Sequence, residues 1–178
     1  MGMPEQVIEA TLRVIEVGGV KEVTVRKVAE ELGRSTTVIT HYFPTREDLL
    51  DAALNQSFAQ SKEQAMRFIQ DSKDELWAFM NWSVSAKHRR VWLQLVAAYL
   101  AGLDPHVSKQ IEEFIDWWDT QLLQLLKGRV AAGRTVQEVC DIIGVVVEGI
   151  LLSSDRELAS GMSSEALLRA TISPLLEP

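Results

Sequence analysis

The sequence has 178 residues, of which 47% are hydrophobic, and this composition excludes a disordered chain. The net charge is −7, which alone argues against a nucleic-acid binder, but residues 1–46 carry six basic and six acidic side chains, so the net charge lies in residues 47–178. Cys140 is the single cysteine, so no internal disulfide is expected. No signal peptide is evident, and the most apolar stretch, 142–152, is too short to span a bilayer, so we expect a cytoplasmic protein without a membrane partner.

The whole sequence predicts an all-α protein, because no strand-like alternation persists and no hairpin signal occurs. Thr45 with Asp48, and Thr135 with Glu138, resemble capping boxes at the starts of two helices. The polar stretch 55–62 is predicted to be a solvated part of the fourth helix. Glycines, prolines and caps divide the chain into nine predicted helices, at about 4–17, 24–33, 35–42, 45–70, 74–86, 89–101, 106–132, 135–158 and 163–173.

Residues 24–46 are the most informative part of the chain, because they predict two short helices joined by a tight turn. Thr24 caps the first helix, Gly33 can take the positive φ that a sharp helix exit needs, and Ser35 can cap the second. The second helix has an apolar back and a small, hydrogen-bonding front, which suits the DNA major groove and predicts a transcription factor. The back comprises Val38, Ile39 and Phe43, and the front comprises Thr36, Thr37, Thr40 and His41.

The chain resembles the TetR family of bacterial one-component regulators over residues 7–54, and its nine-helix layout extends the resemblance to the whole sequence. Its recognition helix, which ends in His-Tyr-Phe, is most like the branch that includes the betaine-synthesis repressor. Thr37 and Thr40 stand where the family usually has Gly and Tyr, and Arg46 replaces the common Lys. The matching positions are Ile8, Ala10, Thr24, Ala29, Gly33, Ser35, Phe43, Thr45, Arg46, Leu49 and Leu50.

The resemblance implies a helix-turn-helix DNA-binding domain over residues 1–46, a connecting helix at about 46–70, and an effector-binding and dimerisation domain over 47–178. It also implies a dimeric repressor that binds a palindromic operator in double-stranded DNA and is released by a small-molecule effector. Several of the implied contacts have simpler explanations, since Thr24 can be only an N-cap and a surface arginine can be only solvated. The implied DNA-binding residues are Thr24, Arg26, Arg34, Ser35, Thr36, Thr37, Val38, Thr40, His41, Tyr42 and Arg46.

Five tryptophans lie between residues 77 and 118, and ordinary core packing explains most of such a set. The resemblance places an effector pocket among helices 5 to 8, where these aromatic residues are concentrated. The effector is expected to be apolar or held in an aromatic cage, and aromatic faces with Glu or Asp would suit a cation. The ligand-binding candidates are Trp77, Met80, Trp92, Val96, Tyr99, Phe114 and Trp118.

The eighth helix is apolar on two faces, so it must be buried on both. One face can pack within its own domain while the other needs a partner, and Gly149 would permit close helix approach. Two copies of the last two helices would then form a four-helix homodimer interface, as the resemblance also implies. A monomeric core helix is the alternative. The interface candidates are Val139, Ile143, Val146, Gly149, Ile150, Leu168 and Ile172.

The sequence offers no catalytic constellation and no cluster of metal ligands, because its cysteine and three histidines are scattered. We therefore expect neither an enzyme nor a cofactor. Two other classes of protein stay open at this point. One is an all-α ligand-binding protein that no longer binds DNA, and the other is a helical enzyme.

Overall fold

The computed structural model describes residues 2–85, 89–153 and 161–177. Within these ranges it contains nine α-helices and no β-strand, which confirms the predicted all-α fold. The described helices include none whose length and apolar character would carry it through a bilayer. The helices are α1 (Met3–Gly18), α2 (Val25–Leu32), α3 (Thr36–Tyr42), α4 (Arg46–Gln70), α5 (Glu75–Ser83), α6 (Arg89–Leu100), α7 (Pro105–Leu126), α8 (Val136–Ser153) and α9 (Ser164–Ile172).

Capping residues begin several of these helices, as the sequence predicts. The Thr24 side chain accepts a hydrogen bond of 3.1 Å from the backbone amide three residues further on. The Thr45 amide donates to the Asp48 carboxylate at 3.0 Å, and the Asp48 amide donates back to the Thr45 hydroxyl at 3.0 Å. Thr135 and Glu138 form the same reciprocal pair, with bonds of 2.7 and 3.2 Å. The starts of α2, α4 and α8 are therefore fixed by local sequence.

The seventh helix is shorter than predicted, since it ends at Leu126 rather than near Ala132. Gly128 has a φ of +70°, in the left-handed region that favours glycine, and this turn stops the helix. The chain then runs alongside the C-terminal segment, where the Ala131 amide donates to the Leu175 carbonyl at 3.0 Å. Pairing with this distant segment replaces the last helical turn that local sequence predicts.

The fifth helix is also shorter than predicted, since it ends at Ser83 rather than at Ala86. The predicted end of the eighth helix, near Leu158, lies outside the described residues, and the described part of α8 ends at Ser153. The ninth helix begins after Ser163, whose side chain accepts a cap bond of 3.1 Å as predicted.

The chain forms two compact units. The first unit comprises residues 1–61 and 90–114, and the second comprises residues 62–89 and 115–178. These two units are defined by contacts within the chain. The predicted division after residue 46 separates DNA binding from effector binding, and it stays a prediction. Each unit has an apolar core of its own. The fully buried side chains include Ile15, Ile39, Leu49, Leu50, Leu54, Leu95 and Ile111 in the first unit, and Leu76, Phe79, Met80, Leu122 and Leu126 in the second.

Candidate nucleic-acid interface and effector region

The two short helices α2 and α3 are joined by a turn in the left-handed region that favours glycine. Gly33 has a φ of +66° and a ψ of 38°, and the Arg34 amide donates to the Ala29 carbonyl at 2.9 Å. Val28 and Ala29 are buried on the first helix and Ile39 is fully buried on the second. These apolar side chains hold α3 by its back, so its opposite side is left at the surface.

The exposed side of α3 is formed by small polar and aromatic side chains. Thr40 donates its hydroxyl hydrogen to the Thr37 carbonyl at 3.3 Å, one turn earlier in the same helix. The His41 and Tyr42 rings pack edge to face, with their centroids 4.8 Å apart. Seven predicted DNA-binding residues at this helix and turn are exposed, namely Arg34, Ser35, Thr36, Thr37, Thr40, His41 and Tyr42, while Val38 is partly buried.

Arg26 and Thr24 also lie at this surface. The Arg26 guanidinium donates to the Glu30 carboxylate at 2.9 Å, one turn along α2, and 85% of its side chain is exposed. This hydrogen bond raises the pKa of Arg26 and lowers the pKa of Glu30. Such an exposed pair contributes little to stability, so a phosphate can replace Glu30 as the partner of Arg26. Thr24 is an N-cap, as in the simpler of its two predicted roles.

Arg46, another predicted DNA contact, is held by hydrogen bonds within the protein. Its guanidinium donates to the Val23 carbonyl at 3.0 Å, to the Val20 carbonyl at 3.2 Å and to the Asp104 carboxylate at 2.8 Å. All three bonds point into the first unit, where only 9% of the Asp104 side chain is exposed. Arg46 is therefore a structural link from α4 to the segment before α2 and to the start of α7, and its predicted contact with a phosphate stays a prediction.

Asp104 completes this link because it also caps α7. Its carboxylate accepts hydrogen bonds from the amides of His106 at 3.0 Å and Val107 at 3.4 Å. Burial opposes ionisation of Asp104, but Arg46 and these two amides outweigh it and hold the pKa of the carboxyl below its ordinary value. Asp104 is therefore an ionised, buried group whose charge is matched by Arg46.

The predicted ligand-binding residues divide between the two units. In the first unit, the Trp92 ring lies 5.6 Å from the Phe114 ring, and Phe58 stacks on Phe114 at 4.7 Å. Val96 and Tyr99 are partly buried on the same helix as Trp92. Phe58 was missed from the sequence, because it falls in the polar stretch predicted to be solvated; its side chain is instead buried.

The second unit contains a tryptophan cluster, which we define as Phe79, Trp82, Trp117 and Trp118. The Phe79 ring lies 5.6 Å from Trp82, 6.2 Å from Trp117 and 5.6 Å from Trp118. The Trp118 indole donates to the Ser83 hydroxyl at 2.8 Å. Of the predicted ligand-binding residues, only Trp118 belongs to this cluster.

Cations already lie on aromatic faces in the second unit. The Arg169 guanidinium is 4.1 Å from the centroid of Trp77, and the Lys62 ammonium is 5.4 Å from the centroid of Trp117. Trp77, a predicted ligand-binding residue, therefore has one ring face covered. Met80, another predicted ligand-binding residue, is fully buried.

Asp119 is an acidic residue of the second unit. Burial, with the nearby charges of Asp116 and Asp141, raises the pKa of Asp119 above its ordinary value.

An open cleft of about 450 Å³ also lies in the second unit. Asp74 and Arg129 form a bidentate ion pair in it, with N–O distances of 2.8 and 3.1 Å. The Arg129 bond is the main reason why the pKa of Asp74 is lowered, against the effect of burial. None of the predicted ligand-binding residues lines this cleft, whose walls are formed by Lys73, Asp74, Glu75, Gln124, Leu125 and Arg129.

The predicted dimer-interface residues differ in their burial, and their role at an interface stays a prediction. Five of the seven are buried within the single chain, three of them on α8 and two on α9. Gly149 is exposed and Val146 is partly buried. On the other face of α8, Val145 is 71% exposed and Leu152 is 69% exposed, so this face lies at the surface of the single chain. The buried five are Val139, Ile143, Ile150, Leu168 and Ile172.

Cys140 adds no chemistry to this helix, because it is buried. Burial, with the charges of Asp119 and Asp141, raises the pKa of its thiol to about 11. A thiol of this kind is an inert part of the core rather than a nucleophile.

Two solved structures share this fold. A transcriptional regulator from Saccharomonospora viridis in complex with choline aligns with a TM-score of 0.82, at 18% identity, over 98% of both chains. A transcriptional regulator from Rhodococcus sp. Rha1 aligns with a TM-score of 0.78, at 17% identity, over 97% of this chain and 95% of its own. At these identities the likeness shows the fold alone.

Sequence relatives give the family. Residues 7–53 match the pattern of bacterial regulatory proteins of the tetR family. The HTH-type transcriptional regulator BetI of Stenotrophomonas maltophilia is 32% identical over 103 residues, which are 53% of each protein, so the chain spans about half the length of this relative. The regulator of the same name from Burkholderia thailandensis is 38% identical over 175 residues, covering 92% of this chain and 80% of its own. These relatives are regulators rather than enzymes, as predicted, and this chain belongs to the TetR family of bacterial regulatory proteins, most resembling its BetI branch.

Proposed function

We propose that this protein is a dimeric transcriptional repressor that binds a palindromic operator through α3 and is released by a small-molecule effector. The observation that carries the proposal is the form of α3 in a chain of this family. Buried Ile39 holds the helix by its back, and Thr36, Thr37 and Thr40 are exposed on its front. A short helix presented in this way fits the major groove, where base edges can be read by hydroxyl and methyl groups.

Dimerisation is part of the proposal because reading a palindrome needs two copies of α3. The recognition helices of such a dimer enter successive major grooves about 34–36 Å apart. The exposed face of α8, with Val145, Gly149 and Leu152, supplies an apolar surface for a second copy of the chain. Gly149 has no neighbouring atom within 4 Å of an added Cβ, which leaves room for a partner helix.

A small quaternary ammonium compound is the proposed effector. The Saccharomonospora viridis regulator with this fold is in complex with choline, and the sequence relatives carry the name BetI. In this chain, Lys62 already lies against the Trp117 face, so a ring of the tryptophan cluster can hold a cation. Asp119 follows Trp118 in the chain, and a bound cation would balance the negative charge of its carboxylate. The proposed site is therefore the tryptophan cluster with Asp119.

Operator binding is tested by fluorescence anisotropy with the DNA that flanks the gene for this protein, at low and high salt. Wild type is expected to bind this DNA more tightly than random DNA, and to bind more weakly at high salt because phosphate contacts are screened. The Thr36→Ala/Thr37→Ala variant should lose the preference, while Thr120→Ala, an exposed threonine on α7, should keep it. If the protein binds flanking and random DNA equally, the titration is repeated with duplexes selected for binding from a random pool. The proposal would be contradicted if no selected duplex bound more tightly than random DNA.

A further inference from the structure

The recognition helix lacks the side chains that usually read bases with paired hydrogen bonds. Its seven residues, Thr36–Tyr42, include no arginine or lysine for guanine, no asparagine or glutamine for adenine, and no carboxylate for cytosine. The exposed front has three threonines instead. This composition leaves α3 with a different means of telling one base pair from another.

The three threonines form one continuous patch on α3. Thr36 and Thr40 are four residues apart, and Thr37 and Thr40 are three apart, so all three side chains lie on neighbouring positions of one helix face. Thr40 already donates its hydroxyl hydrogen to the Thr37 carbonyl at 3.3 Å. The groups of Thr40 that remain free to contact a base are its γ-methyl group and its hydroxyl oxygen, which can accept a hydrogen bond. The patch is therefore rich in methyl groups and has one donor engaged inside the helix.

Thymine is the base that matches such a surface, because it alone presents a methyl group in the major groove. We infer that Thr37 and Thr40 are the specificity-determining residues of α3 and read thymine C5-methyl groups, so each operator half-site places thymine beneath them. This inference rests on the proposed function, since it names the base that the same helix recognises. Arg34 and Arg26 then position the helix on phosphates without choosing the base.

The test removes only the methyl groups, first from the DNA and then from the protein. Each thymidine of an operator half-site is replaced by deoxyuridine, which keeps every hydrogen-bonding group and lacks the C5-methyl. Where a threonine reads thymine, the affinity of wild type should fall about fourfold for each C5-methyl group removed. Thr37→Ser/Thr40→Ser keeps both hydroxyls and should bind the thymidine operator with a similar loss, while Thr37→Val/Thr40→Val keeps the methyl groups and should retain the affinity.

The decisive measurement combines the two changes. In the serine variant, deoxyuridine should cause no further loss, because the methyl partner is already missing. A Thr120→Ser variant on α7 should respond to deoxyuridine as wild type does, and thermal unfolding checks that each variant is folded. Equal affinity of wild type for both duplexes, or the same deoxyuridine loss in wild type and the serine variant, would overturn the inference while leaving operator binding intact. Failure to bind any selected duplex would overturn the proposed function, and this inference with it.

Discussion

Arg46 makes three hydrogen bonds inside the first unit, and two of them go to backbone carbonyls that a lysine could not reach together with Asp104. A guanidinium offers five donors in a planar fork, whereas an ammonium is a compact point charge. At this position the two side chains are therefore not interchangeable, although both are basic and the family commonly has lysine.

Arg46→Lys is expected to lower the free energy of unfolding by about 1–3 kcal/mol, because hydrogen bonds from a charged group to the carbonyls of Val20 and Val23 are removed. Urea denaturation measures the change. Arg67→Lys is the matched control on the same helix, since Arg67 pairs with exposed Glu63, and its cost should stay below about 0.5 kcal/mol. Equal effects of the two substitutions would show that Arg46 is no more than a surface charge.

Asp104 makes this link sensitive to acid. Its pKa in the folded protein lies below the ordinary value of 3.8, so its stabilising charge is fully present above that pH and is lost as the pH falls through the lower folded-state value. Asp104→Asn should destabilise the protein at neutral pH and flatten the loss of stability between about pH 5 and about pH 2. Chemical denaturation at several pH values checks this, and parallel profiles for variant and wild type would contradict it.

Among the elements, α8 shows what hydrophobic pattern can and cannot decide. Both of its faces are apolar, so the sequence predicts two buried surfaces. It does not predict which of the two packs within its own chain. The structure buries Ile143 and Ile150 within the chain and exposes Val145 and Leu152. The choice depends on the elements that pack against α8, such as α9.

Val145→Arg should separate the proposed dimer into monomers, because it places a charge in the centre of the exposed apolar face of α8. Val17→Arg is a matched control, since Val17 is an 87% exposed valine on α1 in the other unit. The dimer dissociation constant should rise at least about tenfold for the first variant and stay unchanged for the second. Analytical ultracentrifugation gives both values, and a dimer that tolerates Val145→Arg would place the interface elsewhere.

Local sequence was enough to predict the helix starts, since Thr24, Thr45 and Thr135 are satisfied by partners three residues away. It was not enough where the partner is distant. The end of α7 depends on the pairing of Ala131 with the C-terminal segment, and the role of Arg46 depends on residues up to 58 positions away. Phe58 is a third case, because the polar residues around it in the sequence do not indicate that its ring packs on Phe114.

For the whole molecule, the proposed repressor links two binding events that must affect each other equally. If choline weakens operator binding by some factor, the operator weakens choline binding by the same factor, and such couplings commonly lie between about fivefold and 150-fold. We expect saturating choline to release the operator by a factor in this range. Titrations of each ligand in the presence and absence of the other measure both factors.

A neutral analogue separates charge from shape in that experiment. The alcohol 3,3-dimethylbutan-1-ol has the outline of choline without its charge, so it should release the operator much more weakly if aromatic faces and Asp119 hold a cation. Release by both compounds alike would indicate an apolar site. No release by choline would contradict the proposed effector and leave operator binding to be judged by itself.

The hydrogen bonds that Arg46 makes within the first unit have one more consequence, which concerns the ions around the DNA. Each phosphate that a regulator neutralises releases condensed counterions from DNA, and the dependence of log affinity on log salt steepens by about 0.9 for each such phosphate. In a dimer, a basic side chain on phosphate at this position would add that contribution twice, whereas Arg46 in this chain holds Val20, Val23 and Asp104. Occupancy of its operator should therefore change less steeply when the ionic strength around the DNA rises.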